Sequence, residues 1–200
     1  MGRREENAER TKSALTDNAL RLFRDRGYDA VSVEQITQAA GVAKGTFYSY
    51  FETKSDIIVE EFWKIDRYYE WYASRNLARW KTAEERLLAF TGAQMRYVRD
   101  EVGVESLQIL YANQVAGAGA ERVIVDSRRR WYAIIEDIVA FGRDRGEFLP
   151  GDDPRRIAEL VNRSVRSVFL EWCLSDGRLD LVDEGLKHVE DWILPILKRG

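Results

Sequence analysis

The chain has 200 residues, a formal net charge of −3, 45% hydrophobic and 32% charged residues. That balance excludes wholesale disorder, and no window approaches the roughly 18 uninterrupted apolar residues of a membrane span. A single cysteine, Cys173, and a single histidine, His188, exclude an internal disulfide and leave little for a zinc site or a Cys/His nucleophile. The opening MGRREENAERTK has no apolar run behind its basic residues, so a secretory signal is not expected, and with the lone cysteine this suggests the cytoplasm. The first 56 residues carry nine Lys/Arg and nine Asp/Glu. Nucleic-acid binding would therefore have to come from local placement of charge, not from a global field.

In chain order the elements read as all-α. Proline occurs only at 150, 154 and 195, and no stretch alternates polar and apolar residues with strand-forming side chains. Behind a charged, frayed first ten residues a helix is expected over 7–26, with Leu15, Ala19, Leu22 and Phe23 on one stripe and Gly27 as its stop. Ser32-Val33-Glu34-Gln35 is a capping box for a helix over 33–40. Gly41 breaks the chain, and a third helix is expected over 44–51. Thr53-Lys54-Ser55-Asp56 is a weaker cap for a long helix through Phe62, Ile65, Tyr69 and Tyr72.

Thr82-Ala83-Glu84-Glu85 caps a fifth helix that ends near Gly103, and a sixth is expected over 106–116, followed by a flexible Gly117-Ala118-Gly119. A seventh, over 121–145, puts Ile124, Trp131, Ile135 and Ile138 on one face and stops at Gly146. Asp153-Pro154 pairs an N-cap with the helical position where proline loses nothing, opening an eighth helix to about Leu174. The last starts behind Asp180 with Leu186, Val189, Ile193 and Leu197 inward, and Pro195 should distort its final turn. The total is about nine helices.

Residues 33–51 have the layout of a helix-turn-helix: two short helices joined by a glycine turn. At about 100° per residue, Phe47 and Phe51 share the inward face, whereas Gly45, Thr46, Tyr48 and Ser49 point away with Lys44 at the edge. A helix of about eight residues is ~12 Å long, which suits a major groove of about that width. Amides at its start and the ammonium of Lys44 or Lys54 are donors suited to phosphates. Spacing alone leaves open the plainer reading, in which the two helices are ordinary amphipathic packing and Tyr48 and Tyr50 are half-buried.

The run Gly27-Tyr28-Asp29-Ala30-Val31-Ser32-Val33, then Ile36, then Ala39 through Phe51 with its Lys44-Gly45-Thr46-Phe47-Tyr48 core, then Lys54-Ser55-Asp56, resembles the N-terminal domain of TetR-family transcriptional repressors. The resemblance covers about the first 60 residues; the other 140 match only in helix number and length. Gly146 through Pro150 is also similar to the family's connection between its seventh and eighth helices. The resemblance implies a DNA-binding domain over 1–54 and an effector-binding and dimerisation domain over 55–200. It implies DNA contacts from Lys44, Gly45, Thr46, Tyr48, Ser49 and Tyr50, a phosphate contact from Lys54, and backbone approach at Ser32 and Val33. Two departures stand out: Ala43 replaces a usual serine cap, and Glu34 puts an acid where some members have a base. Arg3, Arg4 and Arg10 are candidate additional phosphate contacts, although acidic neighbours favour a solvated tail.

One short helix reads too few base pairs to be selective, so a two-fold dimer is expected. Val161, Val165, Val168 and Trp172 on the eighth helix, with Leu186, Val189, Trp192 and Ile193 on the last, are the candidate isologous interface; the alternative is that they complete the monomer's core. Eight phenylalanines, nine tyrosines and six tryptophans make the chain aromatic-rich. Tyr97, Tyr111, Trp131, Phe169 and Trp172, with Gln114 and Arg128 as polar anchors and Asn113 and Gln94 beside them, are the candidate walls of an effector cavity. They suit a flat apolar or cationic ligand, although for each ring taken singly the plainer reading is core or interface fill.

His188 reads as an exposed surface residue and Cys173 as a small buried or interface one. Asp152-Asp153 and Glu84-Glu85 read as charges favourable to helix starts. With no Glu-x-x-His pair, Cys/His cluster or phosphate-binding glycine loop, an enzyme is not expected and no cofactor or metal is called for. The expectation is a cytoplasmic homodimeric repressor that leaves a palindromic double-stranded DNA operator when a small effector binds. A protein–protein adaptor without DNA binding, or an activator, remains as the alternative.

Overall fold

The computed structural model describes residues 2–116, 122–151 and 153–198, without the side chains of Arg3, Arg4, Asn113 and Ala116. The flexible connection expected at Gly117-Ala118-Gly119, the helix start expected at Glu121, and Asp152 lie outside the described residues, as do the side chains of Arg3, Arg4 and Asn113. Among those described there are nine helices and no strand. They are α1 (Arg3–Arg26), α2 (Val33–Ala40), α3 (Lys44–Tyr48), α4 (Ser55–Asn76), α5 (Ala83–Tyr97), α6 (Val104–Ala116), α7 (Arg130–Asp144), α8 (Pro154–Leu174) and α9 (Leu181–His188). A π turn, Val98–Val102, extends α5, and α9 runs on through a second π turn, Val189–Ile193, into Leu194–Lys198.

Two compact units divide the chain, one of residues 1–62 and 109–122, the other of 63–108 and 123–200, so the division falls inside α4 and α6. In the first unit, α1 packs on α2 and α2 on α3. Leu15, Ala19, Ile36 and Phe47, all expected inward, are fully buried there, and so is Ile57, which no expected stripe included. In the second unit α7 lies along α8, and α5 packs on α7 and α9. Gly185 allows the α5–α9 approach: a Cβ there would sit 2.7 Å from the side chain of Met95.

Local chemistry accounts for where the expected boundaries move. α1 begins at Arg3, not at residue 7, because the backbone N–H of Gly2 donates to Glu5 Oε2 at 2.9 Å and acids in the first turn suit the helix dipole. α3 is regular only to Tyr48; the chain goes on to Phe51 in turns, with Ser49 N–H on Thr46 O and Phe51 N–H on Phe47 O. α7 starts at Arg130, nine residues later than expected. A 3-10 turn, Val123–Val125, precedes it, and the Asp126 carboxylate then accepts from the Arg128 N–H at 2.8 Å, a side-chain turn that competes with helix. Ile124 is therefore buried in that turn and not on the face of α7.

The expected distortion at Pro195 takes the form of the π turn before it. Leu194 N–H bonds to Val189 O, five residues back, so the chain is already displaced where proline brings no donor and a bulky ring. The other caps form as read: Ser32 with Gln35, Thr82 with Glu85, and Asp153, whose side chain accepts from Arg155 N–H ahead of Pro154.

Candidate nucleic-acid interface

Position at this site is set by two buried side chains and two caps. Ile36 and Phe47 are fully buried and fix the inward faces of α2 and α3. Ser32 Oγ accepts from Gln35 N–H at 3.2 Å while Gln35 Oε1 accepts from Ser32 N–H at 2.8 Å, which starts α2 sharply. At its far end Gly41 takes the left-handed conformation (φ 68°), and Val42 N–H returns to Thr37 O at 3.0 Å. The tight turn delivers Lys44 as the first residue of α3. Ala43 provides no side-chain cap, as its missing hydroxyl requires.

Of the residues read as DNA contacts, Ser32, Lys44, Gly45, Tyr48 and Ser49 are exposed, and Val33, Thr46, Tyr50 and Lys54 are half-buried. Tyr48 is 52% exposed and meets Phe47 edge-on at 5.4 Å, so its body is anchored while its phenol faces out. Nothing lies within 4 Å of where a Gly45 Cβ would be, so a duplex could come close to that backbone. Ser49 Oγ donates back to Gly45 O at 3.2 Å.

Two lysines are engaged in ways their spacing does not reveal. Lys54 Nζ donates to Tyr28 O at 2.7 Å and Val31 O at 2.9 Å, and lies 4.0 Å from the centre of the Tyr28 ring. It therefore staples the α1–α2 loop, keeping one N–H for any phosphate. Lys44 Nζ is ion-paired with the Glu34 carboxylate across the two helices. That contact holds the Glu34 carboxyl below the usual carboxylate range and the Lys44 ammonium above its ordinary value. Arg10 is exposed, and Lys12 pairs with Glu60 at 2.6 Å.

Tyr111 and Gln114 belong to the first unit, and Tyr97, Arg128, Trp131, Phe169 and Trp172 to the second. Tyr97 is half-buried and stacks on Tyr68 at 4.1 Å. Trp131, Phe169 and Trp172 are buried, and the Trp131 indole N–H has no acceptor among the described residues. Arg128 is gripped by Asp126, with its guanidinium 5.9 Å from the Trp63 ring centre. Gln94 is buried in α5.

Six of the interface candidates are committed elsewhere. Val161, Val165, Val168, Trp172, Val189 and Ile193 are buried in the chain's own second unit, and Leu186 is half-buried. Their stripe faces the intramolecular helix packing, and a partner cannot reach them without unpacking it. Trp192 does stand out, at 65% exposed, and the outward apolar residues of α8 and α9 are Leu160, Leu170, Leu174 and Ile196. His188, expected at the surface, is half-buried and hydrogen-bonded to Ser164. Cys173 is buried, which pushes its thiol up to about 11, away from redox reactivity.

Spacing also missed a buried ion pair. Asp66 accepts from Arg129 Nη2 at 3.1 Å and Nε at 3.2 Å, and from the Arg130 N–H at 3.1 Å. The partners lie 63 residues apart, but one signal was present: Asp66 interrupts the apolar row Phe62–Tyr69 of α4. Among the described residues no helix is long and apolar enough to cross a membrane, and no group of three or more His, Cys, Asp or Glu could hold a metal.

Short paired helices with an outward polar face, joined in one chain to a larger helical unit, are the build of a bacterial transcription regulator. Residues 15–60 match the family model described as bacterial regulatory proteins, tetR family. Over those residues the chain carries the DNA-binding domain of the TetR family, a family of transcriptional regulators and not of enzymes, and it is a DNA-binding regulator. It is 25% identical over 171 residues to the fatty acid metabolism regulator protein of Bacillus subtilis, covering 84% of this chain and 86% of that one. Its fold is similar to that of Thermus thermophilus FadR, a TetR-family repressor solved with lauroyl-CoA (TM-score 0.76, 19% identity, 94% of this chain and 96% of that one). It is similar also to Bacillus subtilis FadR solved with stearoyl-CoA (TM-score 0.66, 22% identity, 94% and 98%).

Proposed function

We propose that the chain is a cytoplasmic homodimeric repressor, in which residues 1–54 read a palindromic operator and residues 55–200 dimerise and bind an effector. The observation that carries this reading is the α2–α3 pair, with its buried Ile36 and Phe47 and its exposed Lys44, Gly45, Tyr48 and Ser49. Ser32, Val33, Thr46, Tyr50 and the remaining donor of Lys54 complete the contact set. A regulator of chromosomal DNA works in the cytoplasm. Leu160, Leu170, Leu174, Trp192 and Ile196 are the apolar surface that a second copy would cover on α8 and α9.

The effector class to test first is a fatty acyl-CoA, because two proteins of similar fold were solved with such ligands. Tyr97, Tyr111, Gln114, Arg128, Trp131, Phe169 and Trp172 remain the residues to probe for it. A ligand releases the operator only through a difference in affinity between the two states of the protein.

The test is fluorescence anisotropy on duplexes selected from genomic DNA, with light scattering for the oligomeric state. Recovered sites should be palindromic, binding should weaken steeply with salt, lauroyl-CoA or stearoyl-CoA should release the duplex, and Trp192→Glu with Ile196→Glu should give monomers. Non-palindromic sites bound by a monomer would overturn the dimeric reading. Release by neither thioester would overturn the effector class.

A further inference from the structure

We propose that Glu34 is an internal competitor for DNA: its carboxylate occupies the Lys44 ammonium that a backbone phosphate would otherwise take, and so lowers affinity for every duplex alike. The inference rests on the reading of α2 and α3 as the DNA-facing helices, and adds to it a residue that tempers binding.

Geometry supplies the first argument. Glu34 is the second residue of α2 and Lys44 the first of α3, so the ion pair bridges the two helices at the end of α3 that leads into the groove. Both side chains are about half exposed, at 60% for Glu34 and 52% for Lys44, so the pair sits on the surface a duplex approaches. The carboxylate also draws on its own backbone N–H and on the Ser32 hydroxyl. These are the donors at the start of α2, where a phosphate would accept. An anion is thus already seated where the DNA backbone must bring one.

Charge supplies the second. From Ser32 to Lys54 the chain carries two lysines, Lys44 and Lys54, against two acids, Glu34 and Glu52. Lys54 is engaged by the Tyr28 and Val31 carbonyls. The face therefore offers a duplex almost no net positive charge while Glu34 is ionised, and its depressed carboxyl remains ionised at any pH where the protein works. For a phosphate to reach Lys44, the exposed pair must open, which is a small cost for a solvent-screened pair of this kind. The carboxylate then also repels the incoming anion.

The experiment compares wild type, Glu34→Gln, Lys44→Ala and the double variant on one mixed-sequence duplex across a series of salt concentrations. Thermal melts check the fold, which a substitution at an exposed position should leave alone. Glu34→Gln should raise affinity about two- to fivefold, the factor equivalent to opening the pair. It should also steepen the slope of log K against log salt by about 0.9, the contribution of one more phosphate. Lys44→Ala should weaken binding in both backgrounds, and more in Glu34→Gln, where it removes the whole gain as well as the wild-type contact.

Unchanged affinity and slope in Glu34→Gln, while Lys44→Ala weakens wild type strongly, would overturn the role of Glu34 and keep Lys44 as a contact. Weaker binding by Glu34→Gln would make the carboxylate itself a favourable DNA contact, which also overturns the proposal. Indifference of affinity to Lys44→Ala in both backgrounds would remove Lys44 from the interface, and with it the reading on which the proposal stands.

Discussion

The two units differ most in what they bury. In the first, the polar side chains buried as wholes among the described residues are hydroxyls, those of Thr16, Thr37 and Ser55, with one carboxylate oxygen, Glu61 Oε1, buried close to the border of the unit. Its described ion pairs, Lys12–Glu60 and Lys44–Glu34, lie at the surface. The second buries Asp66, Arg129, Gln94, Asn162 and Thr91, and leaves the Trp131 indole N–H with no acceptor among the described residues. An apolar interior is the cheapest way to hold two short helices rigid, and rigidity is what a groove reader needs. A polar interior gives up stability but offers hydrogen bonds that a ligand can exchange, which suits the effector-binding role proposed for this unit.

Breaking the buried pair should give the largest effect. Asp66→Asn takes the carboxylate's charge away from an Arg129 guanidinium that is only 6% exposed, and should cost about 3–5 kcal/mol in urea unfolding. Replacing both, as Asp66→Leu with Arg129→Met, should cost much less, because no charge is then stranded. Equal losses in the single and the double variant would mean that the pair contributes packing rather than electrostatics, and the contrast between the two interiors would narrow.

Caps test the first unit with smaller effects of opposite sign. Ser32→Ala removes the Oγ acceptor of the box at α2, leaving the backbone N–H of residue 32 on Gln35 Oε1, and should cost about 1 kcal/mol. Ala43→Ser adds the missing cap to α3, at a residue whose extended backbone (φ −72°, ψ 151°) already suits one, and should gain at most about 1 kcal/mol. If Ala43→Ser stabilises the protein yet weakens duplex binding, the uncapped amides of α3 are needed by DNA and not by the fold.

These tests follow the line between what the residues announced and what they concealed. α2, its cap, the Gly41 turn and the inward Phe47 were legible because each depends on neighbours within four residues, as were the starts at Thr82 and Asp153. α7 was misjudged by nine residues because its apolar spacing continues through Ile124, while a single carboxylate, Asp126, turns the backbone aside. The interface stripe on α8 was read with the right period, but a helix with a broad apolar face does not say which part of it meets its own chain. Val161 and Val165 went inward, while Leu160 and Leu170 stayed out. The Lys44–Glu34 pair joins two helices and the Asp66–Arg129 pair joins α4 to the residue before α7, and local spacing carries no record of such partnerships.

His188 gives the smallest effect and a check on the α8–α9 packing. Its ring bonds to the Ser164 hydroxyl, and burial lowers its pKa below the ordinary histidine value. The sign follows from linkage: the unfolded chain takes up this proton more readily than the folded one, so stability is level above the unfolded value of about 6.5 and falls as the pH drops below it. Once the folded ring is protonated too, the loss stops growing. Urea midpoints between pH 8 and pH 5 should therefore decline more in wild type than in His188→Gln, by a small margin because the ring is only half-buried. Identical profiles would mean that the ring is solvated in the folded protein and that α8 and α9 pack more loosely around Ser164 than the described contact implies.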